Sequence, residues 1–116
     1  MSSVNKDISA GVCTITLNRP EQRNALNVPT LRQLNEILRA AANDDSVRCL
    51  VITGAGKGFC AGADLAEWAD ADANGTIETY GWTEEAHSLM QAIASFPKPT
   101  VALINGAAVG AGLDMA

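Results

Sequence analysis

Phe59-Cys60-Ala61-Gly62-Ala63-Asp64-Leu65 decides the reading of this chain, together with a second stretch of the same kind, Asn105-Gly106-Ala107-Ala108-Val109-Gly110-Ala111-Gly112-Leu113-Asp114. Each follows a β-branched, strand-like run, and each is built from residues too small to keep a ligand away from the backbone. Both are expected to be strand-to-helix turns that present free peptide N–H groups. Two such donors aimed at one oxygen make an oxyanion hole, suited to the charge that gathers on a carbonyl oxygen as an enolate or tetrahedral anion forms. Losing one donor from such a site costs about 2.7–4 kcal/mol of barrier. The second stretch also ends on a carboxylate, Asp114, just past the proposed donor at Ala111.

Working outward, the apolar run Val47 to Thr53 reads as a buried strand that delivers the first turn through Gly54-Ala55-Gly56. Thr100 to Ile104 does the same for the second turn, after Phe96-Pro97-Lys98-Pro99 has stopped a helix. That helix is expected to start at a Thr83 cap followed by Glu84 and Glu85, with Ala86, Leu89, Met90 and Ile93 as its core stripe. Upstream, Val12 to Leu17 alternates apolar and polar residues, with Val4 to Ser9 as its hairpin partner. Asn18 to Asn24 reads as a loop. Asn27 caps the next helix, Pro29 suits its first turn, and Leu31, Leu34, Ile37, Leu38 and Ala41 recur at helical spacing. From Glu67 to Gly81 the periodicity weakens, and Asp70, Asp72, Asn74 and Gly75 predict a mobile, lid-like loop with irregular helix on its flanks. Strands alternating with helices imply an α/β architecture with the site at the strand ends.

Composition narrows the function classes. The chain has 116 residues, 47% of them hydrophobic, and a net charge of −5 spread over mixed positions, which argues against a nucleic-acid partner. No run approaches the apolar length needed to span a bilayer, and the N-terminus lacks the apolar core of a signal peptide, so a cytoplasmic protein without membrane attachment is expected. Cys13, Cys49 and Cys60 are odd in number and form no CxxC pair, which predicts buried free thiols in a reducing compartment. The carboxylates are scattered and the lone His87 has no partner at ligand spacing, so no metal is expected.

Leu17-Asn18-Arg19-Pro20 continuing through Arg23-Asn24-Ala25-Leu26-Asn27, the turn Phe59 to Leu65, Lys98-Pro99-Thr100-Val101-Ala102, and Asn105-Gly106 to Ala116 occur in the order of four landmarks. In this the chain resembles the N-terminal portion of the crotonase superfamily, the enoyl-CoA hydratase/isomerase enzymes. The resemblance implies a crotonase-like spiral of repeated ββα units, incomplete at the C-terminus, and assembly as a trimer or hexamer. It also implies an acyl-CoA thioester substrate, with coenzyme A as part of that substrate and no separate cofactor. Carried over by position, the two oxyanion-hole N–H groups belong to Ala63 and Ala111. The family most often has glycine where Ala111 stands, so a methyl group narrows the pocket there. The positive end of a helix beginning at Ala111 would add to enolate stabilisation. The loop holding Arg23 and Ala25, and the stretch Ala61 to Leu65 with Asp64, resemble the segments that line the pantetheine and adenine of CoA. The resemblance makes Arg23 a candidate to meet a CoA phosphate, with an ordinary solvated loop arginine as the alternative reading. Asp64 reads from its own position as a loop-ordering or capping residue.

Asp114 stands where the hydratases carry their first catalytic carboxylate, usually glutamate. Aspartate is one methylene shorter, and relatives resembling the dienoyl-CoA isomerases carry it, so proton shuttling along a conjugated acyl chain competes with hydration. Whole crotonases are far longer, and the second carboxylate of the hydratases would lie beyond Ala116. Leu113-Asp114-Met115-Ala116 stops in the opening turns of a helix without a cap. Residues 1–116 are thus expected to be the N-terminal part of an acyl-CoA-binding core domain. The readings left open are an enoyl-CoA hydratase/isomerase, a dienoyl-CoA isomerase-like enzyme, and a truncated non-catalytic CoA-binding or assembly fragment.

Overall fold

Val12–Leu17 forms β2, whose alternation buries Cys13, Ile15 and Leu17 on one face. In the computed structural model, which describes residues 2–75 and 81–116, it is the second strand of a four-stranded sheet in the order β1-β2-β3-β4. β1 (Val4–Ser9) runs antiparallel to β2 through a tight turn at Ala10-Gly11, pairing Val4 with Leu17 and Ser9 with Val12. β3 (Cys49–Gly54) and β4 (Thr100–Ala102) then add in parallel, with Ile15 opposite Ile52 and Ile52 opposite Ala102. Parallel addition requires a crossover between each pair of strands, and helices supply it. β4 is shorter than the expected strand: Leu103 N–H still reaches the Ile52 carbonyl at 2.9 Å, but the ladder ends there.

The first crossover is α1 (Val28–Ala42). Asn27 caps it as expected, its side chain accepting from Thr30 N–H at 2.9 Å, and Pro29 occupies the first turn where no N–H is needed. Leu31, Leu34 and Leu38 lie on one stripe and meet Cys13, Ile15, Leu17, Leu50 and Ile52 of the sheet in a single core. Truncating one of these leucines to alanine would cost about 2–5 kcal/mol. At the far end the Lys98 ammonium donates to the Ala41 and Asp44 carbonyls at 2.8 and 2.6 Å, closing off the last turn.

The second crossover contains two helices. α2 (Leu65–Ala73) occupies much of the stretch expected to be a loop, so Asp70 and Asp72 are helical; residues 76–80 of that expected loop lie outside the described residues. α3 (Trp82–Ala94) starts one residue before the expected Thr83 cap, from Gly81 in the left-handed region, with no side-chain cap. Trp82 accounts for the shift, because its indole Nε1 donates to the Leu26 carbonyl at 2.7 Å and its ring meets Trp68 edge to face, 5.6 Å between centroids. Ala86 and Leu89 of α3 are buried against α1, Met90 and Ile93 partly so, and His87 is exposed. The chain closes with α4 (Ala111–Met115). All three cysteines are free, Cys13 and Cys60 buried and Cys49 half-buried. Among the described residues no helix is long and apolar enough to cross a membrane.

Candidate active site

The two glycine-alanine turns lie against each other at the ends of β3 and β4. Cys60 is the joint between them: its N–H donates to Ala107 O at 3.1 Å and its carbonyl accepts from Val109 N–H at 3.0 Å, a short parallel bridge. Its thiol is fully buried and accepts weakly from Gly62 N–H at 3.4 Å; burial pushes the thiol above its ordinary value, so it stays protonated. Gly62 has φ +92°, and a Cβ on it would stand 2.9 Å from Val109 O and 3.4 Å from Ala111 N. Gly62, the residue before Ala63, is thereby seated against Val109 and the Ala111 nitrogen.

On its other side the first turn pairs with the chain before α1. Leu26 N–H donates to Gly62 O at 2.7 Å and Asp64 N–H donates to Leu26 O at 3.1 Å, so Leu26 straddles Ala63 in a parallel bridge. In that geometry Ala63 turns its own N–H and carbonyl away from Leu26. Among the described residues neither Ala63 N–H nor Ala111 N–H donates to a protein acceptor. Both residues are half-buried, and amides in such positions are normally paired.

The flanking polar groups are arranged by charge. Asp64 caps α2, its Oδ1 accepting from Glu67 N–H at 3.1 Å, and its Oδ2 receives the Arg19 guanidinium at 3.0 Å. Arg19 also donates to Ala25 O at 2.6 Å, tying the loop before α1 to the start of α2. Burial pulls the Asp64 carboxyl upward, but the Glu67 amide and the Arg19 charge outweigh it, and the group titrates below the usual aspartate range. Glu67 moves the other way. Burial and the neighbouring Asp64 charge raise it, against the Val28 N–H that its Oε1 accepts at 3.1 Å. One carboxylate therefore caps α1 from α2.

A cleft of about 330 Å³ opens beside the first turn, lined by Arg23, Lys57, Gly58, Ala61, Ala107 and Val109. Arg23 and Ala61 thus face one space, whereas Ala25 is buried and does not line it. Lys57, which sequence reading missed, supplies a second cation; its signal was a lone basic residue in the glycine-rich end of a strand. Leu65 is 77% exposed on the first turn of α2. Asp114 lies in the first turn of α4, exposed, on a different cleft of about 310 Å³ shared with Ile52, Met90, Ile93 and Ala102. The expected helix end at Ala111 is present, although α4 is only five residues long.

The chain is 41% identical over 118 residues to the 1,2-epoxyphenylacetyl-CoA isomerase of Escherichia coli, covering all of this chain and 45% of that protein. It is 44% identical over 105 residues to the 2,3-dehydroadipyl-CoA hydratase of the same organism, covering 90% of this chain and 39% of that one. A Pseudomonas aeruginosa protein of known structure superimposes with a TM-score of 0.98 at 53% identity, over 100% of this chain and 49% of that one. The chain therefore spans less than half the length of these relatives. The enoyl-CoA hydratase/isomerase family model matches residues 12–116, and the chain belongs to that family.

Proposed function

We propose that this chain contributes the thioester-binding part of an acyl-CoA hydratase or isomerase, in which Ala63 N–H and Ala111 N–H hold the carbonyl oxygen of the acyl group as it becomes an enolate. The observation that supports the reading is a pair of half-buried amides without protein acceptors, on two turns that meet where Gly62 contacts Val109 and Ala111. Fixed backbone dipoles need no reorganisation when charge develops on the oxygen, which is why such donors lower a barrier. The cleft beside them takes the CoA portion, with Arg23 and Lys57 toward its phosphates and the small residues Ala61 and Ala107 leaving room for the pantetheine. Coenzyme A arrives as part of the substrate and no further cofactor is required. Asp114 moves the proton.

Asp114 in the place of the usual glutamate favours a second reading, isomerisation of a conjugated acyl chain over hydration. Assembly as a homo-oligomer, trimer or hexamer, completes the proposal and is open to sedimentation analysis.

The oxyanion hole has an optical test. Binding of a conjugated dienoyl-CoA should shift its absorption to longer wavelength, because two donors on the thioester oxygen polarise the conjugated system. Ala63→Pro removes one donor without removing a protein hydrogen bond, and the shift should shrink markedly while binding persists. An unshifted spectrum in the unsubstituted protein would overturn the reading.

A further inference from the structure

Asn24 and Asn105 come from opposite ends of the site, and their side-chain amides meet on one atom. Asn24 Nδ2 donates to Gly58 O at 3.0 Å and to Ala55 O at 2.9 Å, while its Oδ1 accepts from Arg19 N–H at 2.8 Å. Asn105 Nδ2 donates to Gly58 O and to Gly56 O, both at 3.1 Å, and its Oδ1 accepts from Gly54 N–H at 3.2 Å. The two amides thus hold the loop 54–58 by three carbonyls and one N–H. Asn24 is 2% exposed, so its bonds form away from competing water. Gly106, next to Asn105, lies so close to the Lys57 carbonyl that a Cβ would collide with it.

What the clamp holds is the placement of two cations. Arg23 directly precedes Asn24, and both sit in the left-handed region at φ +54° and +57°, a conformation that costs energy outside glycine and needs surrounding bonds to persist. Lys57 directly precedes Gly58, the shared acceptor. Arg23 and Lys57 line the same cleft, and among the described residues neither forms an ion pair. Two unpaired cations facing one space, in a chain of net charge −5, suit an anionic ligand.

We propose that Asn24 and Asn105 are positioning residues that fix Arg23 and Lys57 over the cleft and so set its grip on the phosphates of the CoA moiety. The inference rests on the CoA-binding reading above and adds the residues that tune it.

The test is CoA binding by calorimetry at a series of salt concentrations, for the unsubstituted protein and for Asn105→Ala, with Asn24→Asp as a second variant of equal volume and circular dichroism to check folding. Asn105 is exposed, so its replacement leaves the core untouched. Attraction between placed charges is screened by salt, so CoA affinity in the unsubstituted protein should fall as salt rises. In Asn105→Ala the affinity at low salt should drop about tenfold, the order expected for one hydrogen bond to a charged group. Its salt dependence should also flatten, because the cations no longer track the phosphates. A parallel loss at every salt concentration would mark the clamp as merely structural and overturn the proposal, as would unchanged affinity. Should the unsubstituted protein bind no CoA, or Lys57→Ala bind it as tightly as before, the CoA reading of the cleft itself would fail, a result distinct from failure of the clamp.

Discussion

Gly62 and Val109 are pressed together so that a Cβ on the glycine would stand 2.9 Å from the Val109 carbonyl oxygen, and Gly62 holds φ +92° in doing so. The contact joins the two turns whose amides form the proposed site. Gly62→Ala meets two penalties at once, a left-handed backbone and a backbone oxygen that cannot move without displacing α4. A stability loss of about 1–3 kcal/mol is expected from the conformation alone, with more from the contact, and thermal unfolding measures it. An unchanged Tm would mean that the turns are not in this register.

Arg19 and Asp64 bridge the loop before α1 and the start of α2, with side chains 17% and 12% exposed. Asp64→Ala removes a helix cap as well as the ion pair, and loss of the cap alone costs about 0.5–2 kcal/mol. The Asp64 carboxyl titrates below its ordinary range, so its contribution is present above the unfolded aspartate value of about 3.9 and is lost as pH falls through the lower, folded value. Urea unfolding should therefore show the gap between the parent protein and Asp64→Ala to be full at neutral pH and to narrow under strong acid. A gap independent of pH would contradict the ionic role.

Glu67 has the opposite sign. Its folded value is raised, so the stability linked to it is complete below the unfolded glutamate value of about 4.3 and is lost as pH rises through the folded value. Glu67→Gln keeps an oxygen for the Val28 N–H and abolishes the half-buried charge. The variant should match or exceed the parent in stability at neutral pH and lose the decline just above the ordinary glutamate range. Marked destabilisation at pH 7 would show that the charge on the cap outweighs its burial.

The sheet and α1 were legible in the sequence because their signals are local: alternation in Val12 to Leu17, the Asn27 cap, Pro29, and leucines at helical spacing. Asp64, read from its Gly-Ala-Asp-Leu setting as a loop-ordering or capping residue, caps α2. α2 was read as a loose loop because Asp70 and Asp72 dilute its apolar stripe, and what fixes it is a tertiary arrangement of Asp64, Arg19 and Glu67. The early start of α3 depends on the reach of Trp82 to Leu26 across the fold. Asn24 looked like an ordinary loop residue and Asn105 like the start of a turn. Their partners lie far away in sequence, and local patterns carry no trace of such bonds. The two glycine-alanine turns were legible from their small residues after strand-like runs, while the separation of Asp114 from the Arg23 cleft required coordinates.

That separation makes a prediction about division of labour. Asp114 opens on the cleft formed with Ile52, Met90 and Ile93, whereas Arg23, Lys57 and Ala61 line the other. If Asp114 handles the proton, Asp114→Asn should leave CoA affinity within about twofold while lowering turnover of crotonyl-CoA or a conjugated dienoyl-CoA by about 10²–10⁴, the usual contribution of a positioned acid or base. Asp114→Glu restores the carboxylate but moves it by one methylene, so its rates on the two substrates should change by different factors. A rise in hydration relative to isomerisation would fit the shorter side chain as the feature that selects between these reactions. Full activity in Asp114→Asn would reduce the residue to the first turn of α4 and leave proton transfer to another group.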